Sequence, residues 1–195
     1  ELNAKIAGSM HRVFVGFVES VVEIQTGIFE IVARELAAKF NQRIAINCRH
    51  CTPSQVLTVI SEKTGAEFIL PNKPWTQKTV GRFQHVGGGY MAIDQVLRVW
   101  GVQRGVWHQQ PDGKIYIGEH FHSVVGNKTI DLSTKVFEFI SVTGGTLPLV
   151  PRLRPGVLIR HGENTWLITV VEIANESMRL NWVQRPWQNH LRAIQ

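Results

Sequence analysis

Ala92-Ile93-Asp94-Gln95-Val96-Leu97-Arg98-Val99-Trp100-Gly101 is followed closely by Val106-Trp107-His108-Gln109-Gln110-Pro111-Asp112-Gly113-Lys114-Ile115-Tyr116-Ile117-Gly118. Ile93, Val96, Leu97 and Trp100 fall at helical spacing, and Gly101 ends the pattern as a C-terminal glycine does. Arg104 to Gln110 reads as a strand, Pro111-Asp112-Gly113-Lys114 has tight-turn chemistry, and Ile115 to Gly118 is the returning strand. A helix feeding a hairpin is an α+β pattern, and the rest of the chain can be read outward from it.

The same alternation appears upstream. Thr52 is placed to cap a helix, Pro53 to open it, and Gly65 to end it; Val56, Leu57 and Ile60 form its inner face. Glu67 to Leu70 is a strand, Pro71 to Lys78 a loop carrying Trp75, and Thr79 to Val86 another strand. Gly87-Gly88-Gly89 then leads into the helix Tyr90 to Trp100. Nearer the start, Arg12 to Val22 is rich in β-branched and aromatic residues and reads as a strand. Ile28, Val32, Leu36 and Phe40 recur every four residues, joined by Ile31, and predict an amphipathic helix capped by Thr26. Arg43 to Asn47 is a short strand.

Beyond about residue 125 helical spacing disappears. Strands are expected at 128–132, 136–142, 157–160, 165–173 and 177–183, with turns at Gly144-Gly145, at 161–164 and at Asn175-Glu176. The expected fold is therefore α+β: a small α/β unit of helices on short strands, combined with an all-β small barrel or sandwich. The expected divisions are an N-terminal strand region over 1–25 that can complete the β-domain sheet, the α/β unit over 26–125, the β domain over 126–183 and a tail over 184–195.

Composition bounds the function. The 195 residues are 44% apolar and 18% charged, which excludes a disordered chain. The net charge of +6 permits an anionic partner, but no run of five Lys or Arg occurs, so nucleic acid is not the expected physiological partner. No apolar stretch approaches the roughly 18–20 residues of a membrane-spanning helix. The first ten residues lack the apolar core of a secretory signal.

Chemical motifs are sparse. The G-x-S-x-G, G-K-S/T and G-x-G-x-x-G patterns are absent, and Asp94, Asp112 and Asp131 are scattered. No catalytic residue, enzyme activity or cofactor is expected. Gly87-Gly88-Gly89 reads as a strand-to-helix turn more readily than as a phosphate cradle. Cys48-Arg49-His50-Cys51 has three readings: two small residues ending a strand before a helix, half of a metal site completed by His120 and His122 on one strand face, or a redox dithiol. Six tryptophans offer amphipathic contact area. Trp75, in its Pro-flanked loop, is expected as an exposed anchor; Trp187 lies on the short tail.

The Ala92–Gly101 helix with its Pro-Asp-Gly hairpin resembles the α/β domains of phage tail baseplate hub proteins. Leu147-Pro148-Leu149-Val150-Pro151-Arg152-Leu153-Arg154-Pro155-Gly156-Val157, ahead of strands ending in Met178-Arg179-Leu180-Asn181-Trp182, is similar to the barrel segment of the same proteins, and Val13 to Val18 resembles the strand by which such hubs leave their first barrel. The resemblance implies a virion structural protein, made in the bacterial cytoplasm, that forms a homo-oligomeric, trimeric ring at the end of the tail tube. It implies other tail proteins as partners, no small-molecule substrate, and DNA at most in passage. Trp75, Arg152, Arg154, Arg185 and Trp187 become the candidates for subunit or partner contact. A complete hub has more domains than fit here, so a fragment or a reduced version is expected. The cysteine-bound cluster of some tail-tip relatives is not matched by Cys48 and Cys51. Two alternatives stand beside it. Ser54 to Leu70 and Ala92 to Ile117 also look like the N-terminal domains of secretins, which assemble into rings as well. A small metal- or redox-dependent enzyme would use Cys48 and Cys51.

Overall fold

Thr26-Gly27 decides the architecture of the first part of the chain. In the computed structural model, which describes residues 1–6, 8–126 and 128–184, Gly27 takes φ +79° and its N–H donates to the Glu23 carboxylate. The turn joins β3 (Gly16–Gln25) to β4 (Ile28–Glu35) in an antiparallel pair with bulges near Glu19 and Ile24. The helix expected from Ile28 to Phe40 is thus a strand followed by one 3-10 turn, Leu36–Phe40. Every-fourth spacing was satisfied by chance. Ile28, Ile31 and Val32 are β-branched and stiff at χ1, and across the ladder they meet Gln25, Val21 and Ser20.

The chain divides into two compact units, Glu1–Glu119 and the residues from His120 onward. In the first, β1 (Leu2–Ile6) pairs with β2 (Ser9–Phe14) ahead of the β3–β4 ribbon. Next come β5 (Arg43–Cys51), α1 (Pro53–Thr64), β6 (Phe68–Ile69), the short α2 (Pro74–Gln77), β7 (Val80–Gly88), α3 (Gly89–Val99), β8 (Gly105–Gln109) and β9 (Ile115–Glu119). β5 pairs antiparallel with β7, while β6, β9 and β8 form a second small sheet.

The two long helices form where their caps dictate. Thr52 and Gln55 make a reciprocal capping box, with Thr52 N–H donating to Gln55 Oε1 over 2.9 Å; Pro53 is at the first helical position and Gly65 closes α1 at φ +68°. α3 begins without a side-chain cap. Its Gly89 N–H donates to Gln42 O over 3.0 Å, and a Cβ there would lie 2.8 Å from Phe40 O. The third glycine of the triplet therefore permits close packing, and its N–H is committed to the protein. Phe40, Ile44, Ile46, Phe83, Ile60, Ile93, Ile115 and Ile117 share one buried core.

The second unit is one six-stranded sheet in the order β10-β13-β14-β15-β12-β11, with β10 Thr129–Asp131, β11 Phe139–Ile140, β12 Gly144–Pro148, β13 Leu158–His161, β14 Asn164–Ala174 and β15 Ser177–Gln184. The turn expected at Gly144-Gly145 is instead the start of β12. Both glycines run against neighbours: a Cβ on Gly145 would meet the Phe137 and Trp182 rings at about 3 Å. The strand expected at 136–142 shrinks to β11, preceded by a 3-10 turn over Thr134–Val136. Leu147, Leu153, Ile159, Ile168, Leu180 and Trp182 belong to its core. The molecule is α+β, with the helices confined almost wholly to the first unit.

Candidate assembly surface

The β3–β4 ribbon departs from what a two-stranded sheet tolerates. Val21 faces Ile31 and Glu23 faces Phe29 on one side, while Ser20 faces Val32 and Val22 faces Glu30 on the other. Both sides are open: Val21 is 56% exposed, Val22 55%, Phe29 56% and Ile31 61%. The ribbon forms a sheet by itself, so neither outer edge is paired among the described residues. A lone two-stranded ribbon is marginal in water, and unpaired edges with apolar faces invite another chain.

The base of this ribbon is held firmly. Gln109, buried at 4% exposure, donates from Nε2 to Val15 O over 2.7 Å and accepts from Ala37 N–H at Oε1 over 3.3 Å. One side chain on β8 thus grips the backbone just before β3 and just after β4. Leu36 and Val15 pack beside Gly113 in the Pro-Asp-Gly turn, whose left-handed φ is +90°. Arg34 donates to the Glu19 carboxylate across the ribbon, which raises the guanidinium pKa.

The residues singled out from the sequence fall elsewhere. Trp75 is half-buried, not exposed: it packs against the first core, and its indole N–H donates to Glu119 Oε1 over 3.1 Å. Trp100, Trp107 and Trp182 likewise donate to Lys78 O, Asp94 Oδ1 and Val142 O. These four tryptophans pack in or against the two cores with satisfied N–H groups. Arg152 is exposed and Arg154 half-buried in the turn before β13. Arg185 and Trp187 lie outside the described residues.

The metal reading loses its geometry. His120-Phe121-His122 is a 3-10 turn, with His120 fully buried and bonded through Nε2 to Gly156 O at 2.8 Å, and His122 exposed. Among the described residues no group of three or more His, Cys, Asp or Glu is arranged to hold a metal ion. Cys48 and Cys51 both face inward because His50 adopts φ +48° and shifts the strand's alternation. Cys51 is buried and ends β5 directly before α1; burial, then its contact with Cys48, pushes its pKa up to about 11, so it is no thiolate nucleophile near neutrality.

Burial, and then the nearby Glu119 charge, pushes the Tyr116 hydroxyl up to about 12, and that hydroxyl donates to Glu119 O over 2.8 Å. Surface depressions occur beside β12 (about 170 Å³, with Arg179 and Asn181) and at the end of α3 (about 640 Å³, with Asp94 and Arg98). Neither brings a nucleophile beside a base. Among the described residues no helix is long and apolar enough to cross a membrane.

Comparison with known proteins places this geometry. No family model matches the chain. It is 26% identical over 153 residues to an uncharacterized 58.7 kDa protein encoded in the lys 3′ region of Haemophilus phage HP1; the match covers 76% of this chain and 28% of that protein. The fold is shared with the 43 kDa tail protein of prophage MuSo2 from Shewanella oneidensis, at TM-score 0.58 and 11% identity over 91% of this chain and 78% of that one. An Escherichia coli component of the type VI secretion system, described as similar in structure to T4 bacteriophage tail proteins, aligns over 80% of this chain and 55% of its own, at TM-score 0.46 and 13% identity. The resemblance read from the sequence thus meets a tail-protein fold and a phage-encoded relative.

Proposed function

We propose that this chain is a structural, non-enzymatic part of a phage or phage-like tail: a baseplate hub or tail-tip protein that forms a ring with copies of itself at the end of the tail tube. The observation that carries the reading is the β3–β4 ribbon, apolar on both faces, unpaired on both edges among the described residues and clamped at its base by Gln109. A ribbon with a fixed base and an uncovered body suits assembly between chains. The tail-protein fold and the phage relative support the setting. Other tail proteins are the further partners, the virion tail is the location, and exposed Arg152 remains a contact candidate. Gold-labelled antibody against the chain, applied to particles from the source phage, tests this: label at the tube's distal end is the expected result. Label absent from particles that retain complete tails would contradict it.

A further inference from the structure

The sheet made by β5 and β7 packs its inner face on α1 and α3 and leaves the other face open. On that face Arg49 stands directly opposite Arg82, Asn47 opposite Gln84 and Ala45 opposite Val86, with Arg43 at the end. All of these are exposed, Val86 at 59%. Like charges directly opposed across a ladder repel. None of the three arginine side chains has an ion pair or hydrogen bond among the described residues. The face is cationic and favours an anionic surface laid on it.

The ribbon has the opposite character. In a chain of net charge +6, residues 16–35 carry Glu19, Glu23, Glu30 and Glu35 against one arginine, Arg34. We infer that the ribbon of one copy lays its Val21, Glu23, Phe29 and Ile31 side across the open β5–β7 face of a second copy, Glu23 meeting Arg49 and Arg82. The inference rests on the ring reading and adds its joint. One contact covers one apolar side of the ribbon and gives the opposed arginines a carboxylate. A nucleic acid would neutralise the arginines and leave the ribbon bare. Because the two surfaces differ, the contact is head-to-tail, the type that closes into rings when the rotation allows.

Charge exchange tests this on the full chain. Solution mass is measured by light scattering across a concentration series for wild type, R49E/R82E, E23K and the triple combination, with thermal melts to verify folding. Wild type is expected to assemble. Each reversal is expected to weaken assembly on the order of 10- to 100-fold, and the combination to recover part of that loss. An assembling wild type whose mass neither reversal changes would overturn the joint and leave the ring reading standing. So would failure of the combination to recover, or loss of DNA binding by R49E/R82E with assembly intact. A wild type that is monomeric throughout would overturn both.

Discussion

The molecule contains two long antiparallel hairpins, β3–β4 and β14–β15, and they solve the same burial problem in opposite ways. Along β15, Met178, Leu180 and Trp182 point inward while Arg179, Asn181 and Val183 point outward, and β14 and β15 are flanked by β13 and β12. Met178, Leu180 and Trp182 each have a core to enter. In β3–β4 the apolar doublets Val21-Val22 and Ile31-Val32 put hydrophobic groups on both sides, no flanking strand exists among the described residues, and the side chains remain exposed. Alternation marks a strand finished within its own chain. The doublets of the ribbon have no such core among the described residues, and the proposed assembly would cover them.

The comparison can be broken at several strengths. Trp182→Ala, which removes a ring packed on Phe137 and Trp166, should cost about 3–5 kcal/mol in urea unfolding of the second unit. A small loss would mean that β14–β15 is no better buried than the ribbon. Gly89→Ala forces a methyl group against Phe40 O and should cost about 1–3 kcal/mol, read from the melt of the first unit. Gln109→Leu leaves the Ala37 N–H and Val15 O at the ribbon base unpartnered and should also cost about 1–3 kcal/mol. It should speed hydrogen exchange of the β3 and β4 amides more than those of β14 and β15; equal acceleration would deny the clamp.

A pH effect separates the ribbon from the core behind it. Cys51 is raised in the folded state to about 11, so the native chain holds this proton more tightly than the unfolded one. Stability is unaffected below the ordinary thiol range and falls as pH climbs from there toward about 11. Cys51→Ala should flatten that part of the stability profile, and an unchanged slope would remove the assignment. The smallest effect on stability belongs to the ribbon: Val21→Thr with Ile31→Thr should change the unfolding free energy of the isolated chain by about 0.5 kcal/mol or less, because both side chains face solvent there. A large loss would show that the ribbon is buried within its own chain.

Much of the fold is legible in the sequence. The α1 caps at Thr52 and Gly65, the α3 face and the Pro-Asp-Gly hairpin stand where local chemistry placed them, because caps and turns act within a few residues. The ribbon was missed because four-residue spacing and a β-rich hairpin can share one sequence. The signal that could have found it is Thr26-Gly27 between two β-branched runs. Gln109 was invisible for another reason: its partners, Val15 and Ala37, lie 94 and 72 residues away. Trp75 was misjudged because a Pro-flanked loop gives no hint of a carboxylate waiting at Glu119. The opposed pair Arg49 and Arg82 could be known only from register.

Whether the ribbon joins copies of this chain is read from the solution mass. Light scattering behind a sizing column, on the 22.0 kDa chain at several concentrations, should give a mass near three chains for wild type and a shift toward the monomer for Val21→Thr with Ile31→Thr. A wild type that stays a single chain at every concentration, or a ribbon variant that assembles as well as wild type, would contradict it.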